Sequence, residues 1–158
     1  MKKIFVPVLI LIMAAGLQAE EKKKNTQEYV ADLKSDNDAD VIKAAKGLGE
    51  AKAAKEATDA MIAAMKSHQN PKVRIALADG LGMMGTKGQP TTALSEVVQS
   101  DDDNAVVYSA LLAILNLADF ENPAAEKALK FCEDNKSKDA FIADVVKRIH
   151  TAMGKNKK

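Results

Sequence analysis

The chain has 158 residues, 47% of them hydrophobic and only 4% aromatic, with 23 Lys and Arg against 22 Asp and Glu. A charge balance this close to neutral excludes the dense basic face that nucleic acid binding needs. A single cysteine excludes an internal disulfide framework. Because tryptophan is absent, we expect a core built from Ala, Leu, Val, Ile and Met.

The first residues, 1–19, have the layout of a secretory signal peptide. A basic start, Met1 to Lys3, precedes an apolar run from Ile4 to Ala15, and the small residue Ala19 closes the segment. The run is shorter than the roughly 20 residues that a membrane-spanning helix needs. We therefore expect cleavage before Glu20, with no stable membrane insertion afterwards; a retained anchor is the alternative. Since the residue after the cut is not cysteine, the product is not a lipoprotein.

Four later segments begin with an acidic or amide-rich turn and run into a helix rich in valine or alanine. Their anchor residues are Val41, Val73, Val106 and Phe141, so the steps are 73−41 = 32, 106−73 = 33 and 141−106 = 35 residues. A period in this range indicates a helical solenoid. Such a fold offers an extended surface more readily than a reaction centre.

Each repeat is predicted to contain two antiparallel helices. The second helix of each pair is predicted to start at Asp38, Asn70, Asp103 or Asp139, which are favourable N-cap residues. The first helix carries apolar residues at three- and four-residue spacing, which gives it one hydrophobic face. These residues are Tyr29, Val30 and Leu33; Met61, Ile62 and Met65; Leu94, Val97 and Val98; and Ala128, Leu129 and Cys132. The predicted fold is therefore all-α, an α-solenoid of about four antiparallel helical pairs.

The segment Asn70–Gly85, with its Val73-Arg74 and Leu81-Gly82 pairs, resembles the HEAT-repeat family in its short bacterial form. The resemblance implies a right-handed superhelical stack whose second helices line the concave side. It also implies a binding scaffold whose partner is another protein. The family's arginine beside the valine occurs only at Arg74, so an inter-repeat Asp–Arg ladder is expected to be mostly absent.

The resulting domain organisation has four parts. After the signal peptide, residues 20–25 form a charged N-terminal stretch, 26–153 form the HEAT-like repeat domain and 154–158 form a basic tail. Lysines cluster at 22–24 and 155–158. They could touch an acidic membrane surface or partner, but we interpret them as solvated chain ends.

One acidic segment looks like the start of a calcium-binding loop. Asp36, Asp38 and Asp40 have the right spacing, but Val41 and Gly47 stand where such a loop needs glycine and glutamate. We interpret the segment as an acidic turn that caps the following helix and favours its positive dipole end.

Other chemically active residues are sparse. His68 and His150 are far apart and lack the companion ligands of a zinc site. Cys132 could be a reactive thiol, but it occupies a position that is apolar in the other repeats, so we predict a core residue. The sequence therefore predicts no catalytic residue, no cofactor and no metal.

One feature of the third repeat predicts a contact site. Tyr108 and Leu112 lie four residues apart on its second helix, at positions that are mixed or charged in the other repeats. They could form an apolar landing patch for a partner. The alternative is packing against the adjacent repeat.

These observations predict an exported, periplasmic or secreted, non-enzymatic protein. It would act as a scaffold or adaptor for another protein through its concave helical surface. A HEAT-like lyase that handles a bound chromophore, or a carrier of a small ligand or metal, is the alternative.

Overall fold

The computed structural model describes residues 24–53 and 55–154, and this part of the chain folds into eight helices without strands. In chain order they are α1 (Thr26–Asp32), α2 (Asp38–Glu50), α3 (Lys55–Ser67), α4 (Pro71–Met84), α5 (Gln89–Ser100), α6 (Asn104–Leu117), α7 (Pro123–Asn135) and α8 (Ala140–Ala152). The predicted signal peptide and its cleavage site at Ala19 and Glu20 lie outside the described residues, as do both lysine clusters apart from Lys24.

The helices pair as the repeat pattern predicts, which confirms the all-α solenoid. Short turns join α1 to α2, α3 to α4, α5 to α6 and α7 to α8, so the members of each pair run antiparallel. We call these pairs repeats one to four. The first helices, α1, α3, α5 and α7, form one layer of the stack. The second helices, α2, α4, α6 and α8, form the other layer.

Side-chain caps start the second helices. Asn70, Asp103 and Asp139 are N-caps as predicted, and each accepts hydrogen bonds from backbone amides of the first turn. The prediction for Asp38 is wrong by one residue, because Asn37 caps α2 through the amide of Ala39. The carboxylate of Asp38 is thereby free of the capping role and instead accepts a hydrogen bond from the Asn70 amide in the next repeat.

The predicted apolar faces of the first helices form the core. All twelve of the residues assigned to these faces are buried except Val30, which is half-buried and packs against the core. Cys132 is 1% exposed, in line with its predicted core role. Leu81, from the second layer, has no exposed surface at all. A continuous hydrophobic core therefore runs through all four repeats.

The fourth repeat departs from the predicted register by one residue. Phe141, the predicted anchor residue of the fourth segment, is 74% exposed, whereas the next residue, Ile142, is 1% exposed. The cap explains the difference. Val73 and Val106 lie three residues after Asn70 and Asp103, and three residues after Asp139 is Ile142.

Close approach of backbones fixes the second-helix layer. A Cβ atom added at Gly80 would lie 2.6 Å from the carbonyl oxygen of Ala45, and one added at Gly82 would lie 2.8 Å from the Cα of Ala113. Only glycine therefore fits where α2 meets α4 and where α4 meets α6. We call these two crossings the glycine seam.

The two layers pack unequally along the stack. In repeats one to three the second helices contact one another extensively, while α1, α3 and α5 touch only sparingly. When the helices of one layer pack more closely than those of the other, the stack curves towards the closely packed layer. The second helices therefore lie on the concave side of repeats one to three. Between repeats three and four the difference disappears, because α5 and α7 also pack closely.

Candidate interaction surface

The outward face of the second helices carries a line of apolar side chains. Ile42, Ile75, Tyr108 and Leu112 are half-buried against the core, and Phe141 is exposed. We call these five residues the apolar strip. It includes at least one residue from each of the four second helices.

A sequence signal for this strip exists, although the sequence interpretation found only Tyr108 and Leu112. Ile42, Ile75, Tyr108 and Phe141 are spaced by 75−42 = 33, 108−75 = 33 and 141−108 = 33 residues. The choice of Phe141 as the fourth anchor hides this period, because it aligns Phe141 with the buried Val73 and Val106. Its true neighbour in the register, Ile142, occupies the core instead.

Both predicted contact residues are partly exposed, and Tyr108 also touches the next repeat. The rings of Tyr108 and Phe141 meet edge to face, with centroids 6.3 Å apart and planes at 83°. Edge-to-face geometry is favourable for aromatic pairs. This pair joins α6 to α8 at the surface, and Leu112 lies one helical turn further along α6. The structure thus brings Tyr108 and Leu112 together with a third, more exposed residue.

Helix α6 presents this surface without charge, since Asn104–Leu117 contains no charged residue. Ser109, beside Tyr108, donates to the Ile75 carbonyl oxygen and to the Asp79 carboxylate of α4. These bonds hold α6 in register with α4, so Tyr108 lies at the level of Ile75.

Polar contacts between consecutive repeats follow the edge where the second helices begin. Asn70 donates to Asp38, and Asn104 donates to Asp139. Between these two contacts, Arg74 holds Asp101 through two hydrogen bonds of 2.7 and 3.0 Å. Among the described residues, one Asp–Arg rung therefore exists, at the position where the sequence has Arg74, and asparagines supply the other contacts along this edge.

The Arg74–Asp101 rung is well satisfied. The same guanidinium also donates to the carbonyl oxygens of His68 and Gln69. Burial by itself would raise the pKa of Asp101, but the hydrogen bonds from Arg74 and from the Asp103 amide, together with the arginine's charge, bring its pKa below the usual value. The role of this pair is structural.

A second polar cluster joins repeats three and four at the opposite edge. Asp119 accepts from the Gly88 amide at 2.8 Å, from the Thr91 hydroxyl at 2.9 Å and from the Asn122 amide at 3.2 Å. The backbone hydrogen bond from Gly88 is the main reason that the pKa of Asp119 is lowered. Lys87 adds a bond to the Ala118 carbonyl. We call this set of contacts the Asp119 clamp.

Residues that suggested chemistry have structural contacts. His68 lies 3.5 Å from the Asp38 carboxylate, and His150 lies 3.0 Å from that of Glu133. Burial raises the pKa of Cys132 to about 11, so its reactive thiolate form is disfavoured near neutral pH. Within residues 24–53 and 55–154, no three His, Cys, Asp or Glu side chains come together as a metal site would require.

A groove of about 410 Å³ opens between α3 and α5 on the first-helix side. Met65 and Val97 line its floor, and both are buried. Lys66 of α3 pairs with Glu96 of α5 across it, with the charged atoms 2.6 Å apart. Arg74 and Asp101 also line the groove, so their ion pair borders it.

A family model of HEAT repeats matches residues 27–115, which is more than half of the chain. The chain belongs to the HEAT-repeat family. The matched stretch covers repeats one to three, from α1 almost to the end of α6. No curated protein and no solved structure matches the chain significantly.

The fourth repeat of this HEAT-repeat protein lies beyond the matched stretch and has the character of a cap. Its core register is 142−106 = 36 residues after that of the third. Val107 and Leu111 are buried in α6, but their counterparts in α8, Ala143 and Lys147, are exposed. Terminal solenoid repeats need such a polar outer face. Among the helices that the structure describes, none is long and apolar enough to cross a membrane.

Proposed function

We propose that this HEAT-repeat protein is an exported, non-enzymatic scaffold that holds another protein against its second-helix face. The observation that carries the proposal is the apolar strip. Its side chains are too exposed for pure core residues, and they cross all four repeats in a line. HEAT repeats form helical scaffolds of the kind that mediates protein interactions.

The chemistry of the strip favours a partner segment that presents apolar side chains. Helix α6 offers no charge along its length, so a partner loses little charge hydration when it covers Tyr108 and Leu112. Aromatic residues are enriched among the anchors of protein interfaces. The ring of Phe141 is the most exposed part of the strip and the natural first contact.

The non-enzymatic part of the proposal rests on how the reactive residue types are used. His68 and His150 each lie against one carboxylate, and Cys132 is a core residue whose pKa is raised. Asp101 and Asp119 are occupied in structural hydrogen bonds. No feature of the described residues favours the lyase or ligand-carrier alternative over the scaffold.

The export part rests on the sequence of residues 1–19 and needs its own test. We expect the chain, expressed in a Gram-negative host, to occur in the periplasmic fraction with Glu20 as its first residue. N-terminal sequencing of the fractionated protein measures this. An intact Met1 on a membrane-bound product would contradict it.

Site-specific photo-crosslinking tests the interaction surface. A benzophenone amino acid in place of Phe141 keeps an aromatic ring at the exposed end of the strip. The control carries it at Lys127, an exposed position of α7 in the first-helix layer. We expect one defined protein to be joined to the position 141 variant and not to the position 127 variant. Equal adducts at both positions, or none at position 141, would overturn the proposal.

A further inference from the structure

We propose that Asn135, at the end of α7, is the acceptor of an N-linked oligosaccharide. The donor is a lipid diphosphate that carries the sugar, and a separate membrane transferase attaches it outside the cytoplasm. The proposal rests on the export part of the proposed function and is independent of whether the apolar strip binds a partner.

Asn135 stands in an acceptor sequence that occurs once in the chain. Residues 135–137 read Asn-Lys-Ser, which fits the pattern Asn-X-Ser/Thr with X other than proline. No other asparagine of the sequence is followed by serine or threonine two positions later. Acceptor sequences of bacterial transferases also carry an acidic residue two positions before the asparagine, and Glu133 has this position. The longer pattern arises by chance much less often than the three-residue one.

The structure places this segment where a transferase can reach it. Glu133, Asn135 and Ser137 are all exposed. Asn135 is the last residue of α7, and Lys136 leaves the helical conformation, with φ −123° and ψ 11°. The Asp139 amide then donates to the Lys136 carbonyl oxygen and closes a turn. A surface turn of an exported protein is the context in which an asparagine acceptor is modified.

The hydrogen bond that the Asn135 side chain makes is compatible with a sugar. Its amide nitrogen donates to the Phe131 carbonyl oxygen, one helical turn earlier, at 2.9 Å. That nitrogen carries two hydrogens, so replacement of one by a sugar leaves the other to keep the bond. The last turn of a helix also frays. A transferase can therefore seat Asn135 without disturbing the buried residues of α7.

The transfer balances with the lipid-linked sugar as its only co-substrate. The amide nitrogen of Asn135 forms a bond to the anomeric carbon of the sugar, and the bond from that carbon to the diphosphate breaks. The diphosphate leaves with the bonding electron pair, and one amide proton passes to solvent. Ser137 and Glu133 take no covalent part, so we assign them to recognition by the transferase.

Intact mass spectrometry of the exported chain tests the proposal. The full chain is expressed in a Gram-negative host that carries a bacterial oligosaccharyltransferase and its lipid-linked oligosaccharide, and in the same host with an inactive transferase. A second version replaces residues 1–19 with the leader of a known periplasmic protein, so that the measurement does not depend on the native leader. We expect the periplasmic chain to gain the mass of one oligosaccharide only with the active transferase.

Single substitutions at the three exposed positions locate the modification. Asn135→Gln and Ser137→Ala should each abolish the gain in mass, and Ser137→Thr should keep it, because threonine also fits the acceptor pattern. Glu133→Gln should remove most of the gain if the carboxylate is recognised. Circular dichroism melting of the same samples checks that each variant remains folded.

The failure of this proposal and that of the export proposal can be distinguished. Periplasmic chains that gain no mass, from both versions, would overturn the acceptor site and leave export and the scaffold untouched. A gain that persists in Asn135→Gln would also overturn it, and a full gain in Glu133→Gln would overturn the role of Glu133. A native version that stays in the cytoplasm while the second version is modified at Asn135 would support the acceptor site and contradict export.

Discussion

Between repeats one, two and three, the second helices meet backbone against backbone and the first helices stand apart. Between repeats three and four, the first helices also pack, and polar bonds from Asp119 and Ser95 tie them together. One chain thus uses two ways of stacking a repeat on its neighbour. The family model matches the part that contains the glycine seam, and the clamped fourth repeat falls outside it.

This difference has a physical cause in side-chain size. The seam requires glycine where α2, α4 and α6 cross, and Gly80 and Gly82 of α4 supply it. Helix α8 contains no glycine between Ala140 and Ala152, so its backbone has no corresponding place to approach α6 as closely. The fourth repeat relies on the first-helix layer and on polar bonds instead.

The largest expected loss of stability comes from shortening a buried side chain in the glycine-seam region and one in the fourth repeat. Leu81→Ala should lower the free energy of unfolding by about 2–5 kcal/mol, the usual range for a fully buried leucine. Ile149→Ala removes an equally buried side chain from the fourth repeat. It should cost less, because a terminal repeat packed on one side can relax into the cavity. Urea denaturation of both variants measures the difference, and a larger loss for Ile149→Ala would contradict the comparison.

The next prediction addresses the seam itself. Gly80→Ala places a methyl group against the Ala45 carbonyl oxygen at 2.6 Å, and backbone cannot move aside cheaply. We expect a loss of about 1–3 kcal/mol, as in other overpacked cores, in spite of the roughly 1 kcal/mol by which alanine favours a helix over glycine.

Gly47→Ala is the matched control for this change. Its methyl group would also approach neighbouring atoms too closely, but those atoms belong to the Tyr29 ring. The Tyr29 ring is buried, but a side chain at the end of the stack can turn aside more easily than backbone can, so we expect a smaller loss than for Gly80→Ala. Thermal melts of the two variants compare them directly. Equal losses would mean that the seam is no more rigid than an ordinary side-chain contact.

The stability that the Asp119 clamp contributes should depend on pH, because Asp119 is ionisable. The glycine seam should show no such dependence. The pKa of Asp119 is lowered from 3.8, chiefly by the Gly88 amide, so folding favours its charged form. That contribution is fully present above about pH 4 and disappears as pH falls through the lowered pKa. Asp119→Asn should therefore cost about 1 kcal/mol at pH 7, the typical value of a lost hydrogen bond, and progressively less below pH 4.

Asp144→Asn, at an exposed position of α8, is the control for charge removal. Denaturation midpoints of both variants at pH 7 and at pH 3 decide the matter. A deficit of Asp119→Asn that persists unchanged at pH 3 would show that the carboxylate charge is not what stabilises the clamp.

The sequence predicted the repeat architecture because its signals are local. Helix caps and apolar spacing act within a few residues, so both can be predicted from the sequence alone. The caps at Asn70, Asp103 and Asp139 are examples. The errors at Asp38 and Phe141 are single-residue shifts. At Asp38, two neighbouring residues could cap the helix, and Asp38 instead contacts Asn70 of the next repeat. At Phe141, the spacing of three residues between cap and core residue places Ile142 in the core.

The site was harder to predict than the fold. Comparison of the repeats predicts Tyr108 and Leu112 as surface contacts. Phe141 aligns there with the anchors Val73 and Val106, so the comparison does not point to it as a surface residue. The contacts of the Asp119 clamp could not be predicted from the sequence. It joins loops that are about 30 residues apart in sequence, with Gly88 and Asp119 differing by 31 positions, and turn residues carry no periodic signal that would pair them.

The smallest expected effect on stability tests whether the apolar strip is continuous from the first three repeats into the fourth. Phe141→Ser removes a side chain that is 74% exposed. Its free energy of unfolding should therefore change by no more than the roughly 0.5 kcal/mol that surface substitutions usually cause. Tyr108→Ser with Leu112→Gln changes half-buried residues of the third repeat and should cost more, about 1 kcal/mol.

Both variants should weaken binding of the crosslinked protein at least about tenfold, or about 1.4 kcal/mol, when measured by calorimetry with the purified partner. Loss of binding only in the third-repeat variant would confine the surface to the matched repeats, and a strongly destabilised third-repeat variant with normal binding by Phe141→Ser would remove the strip as an interaction surface.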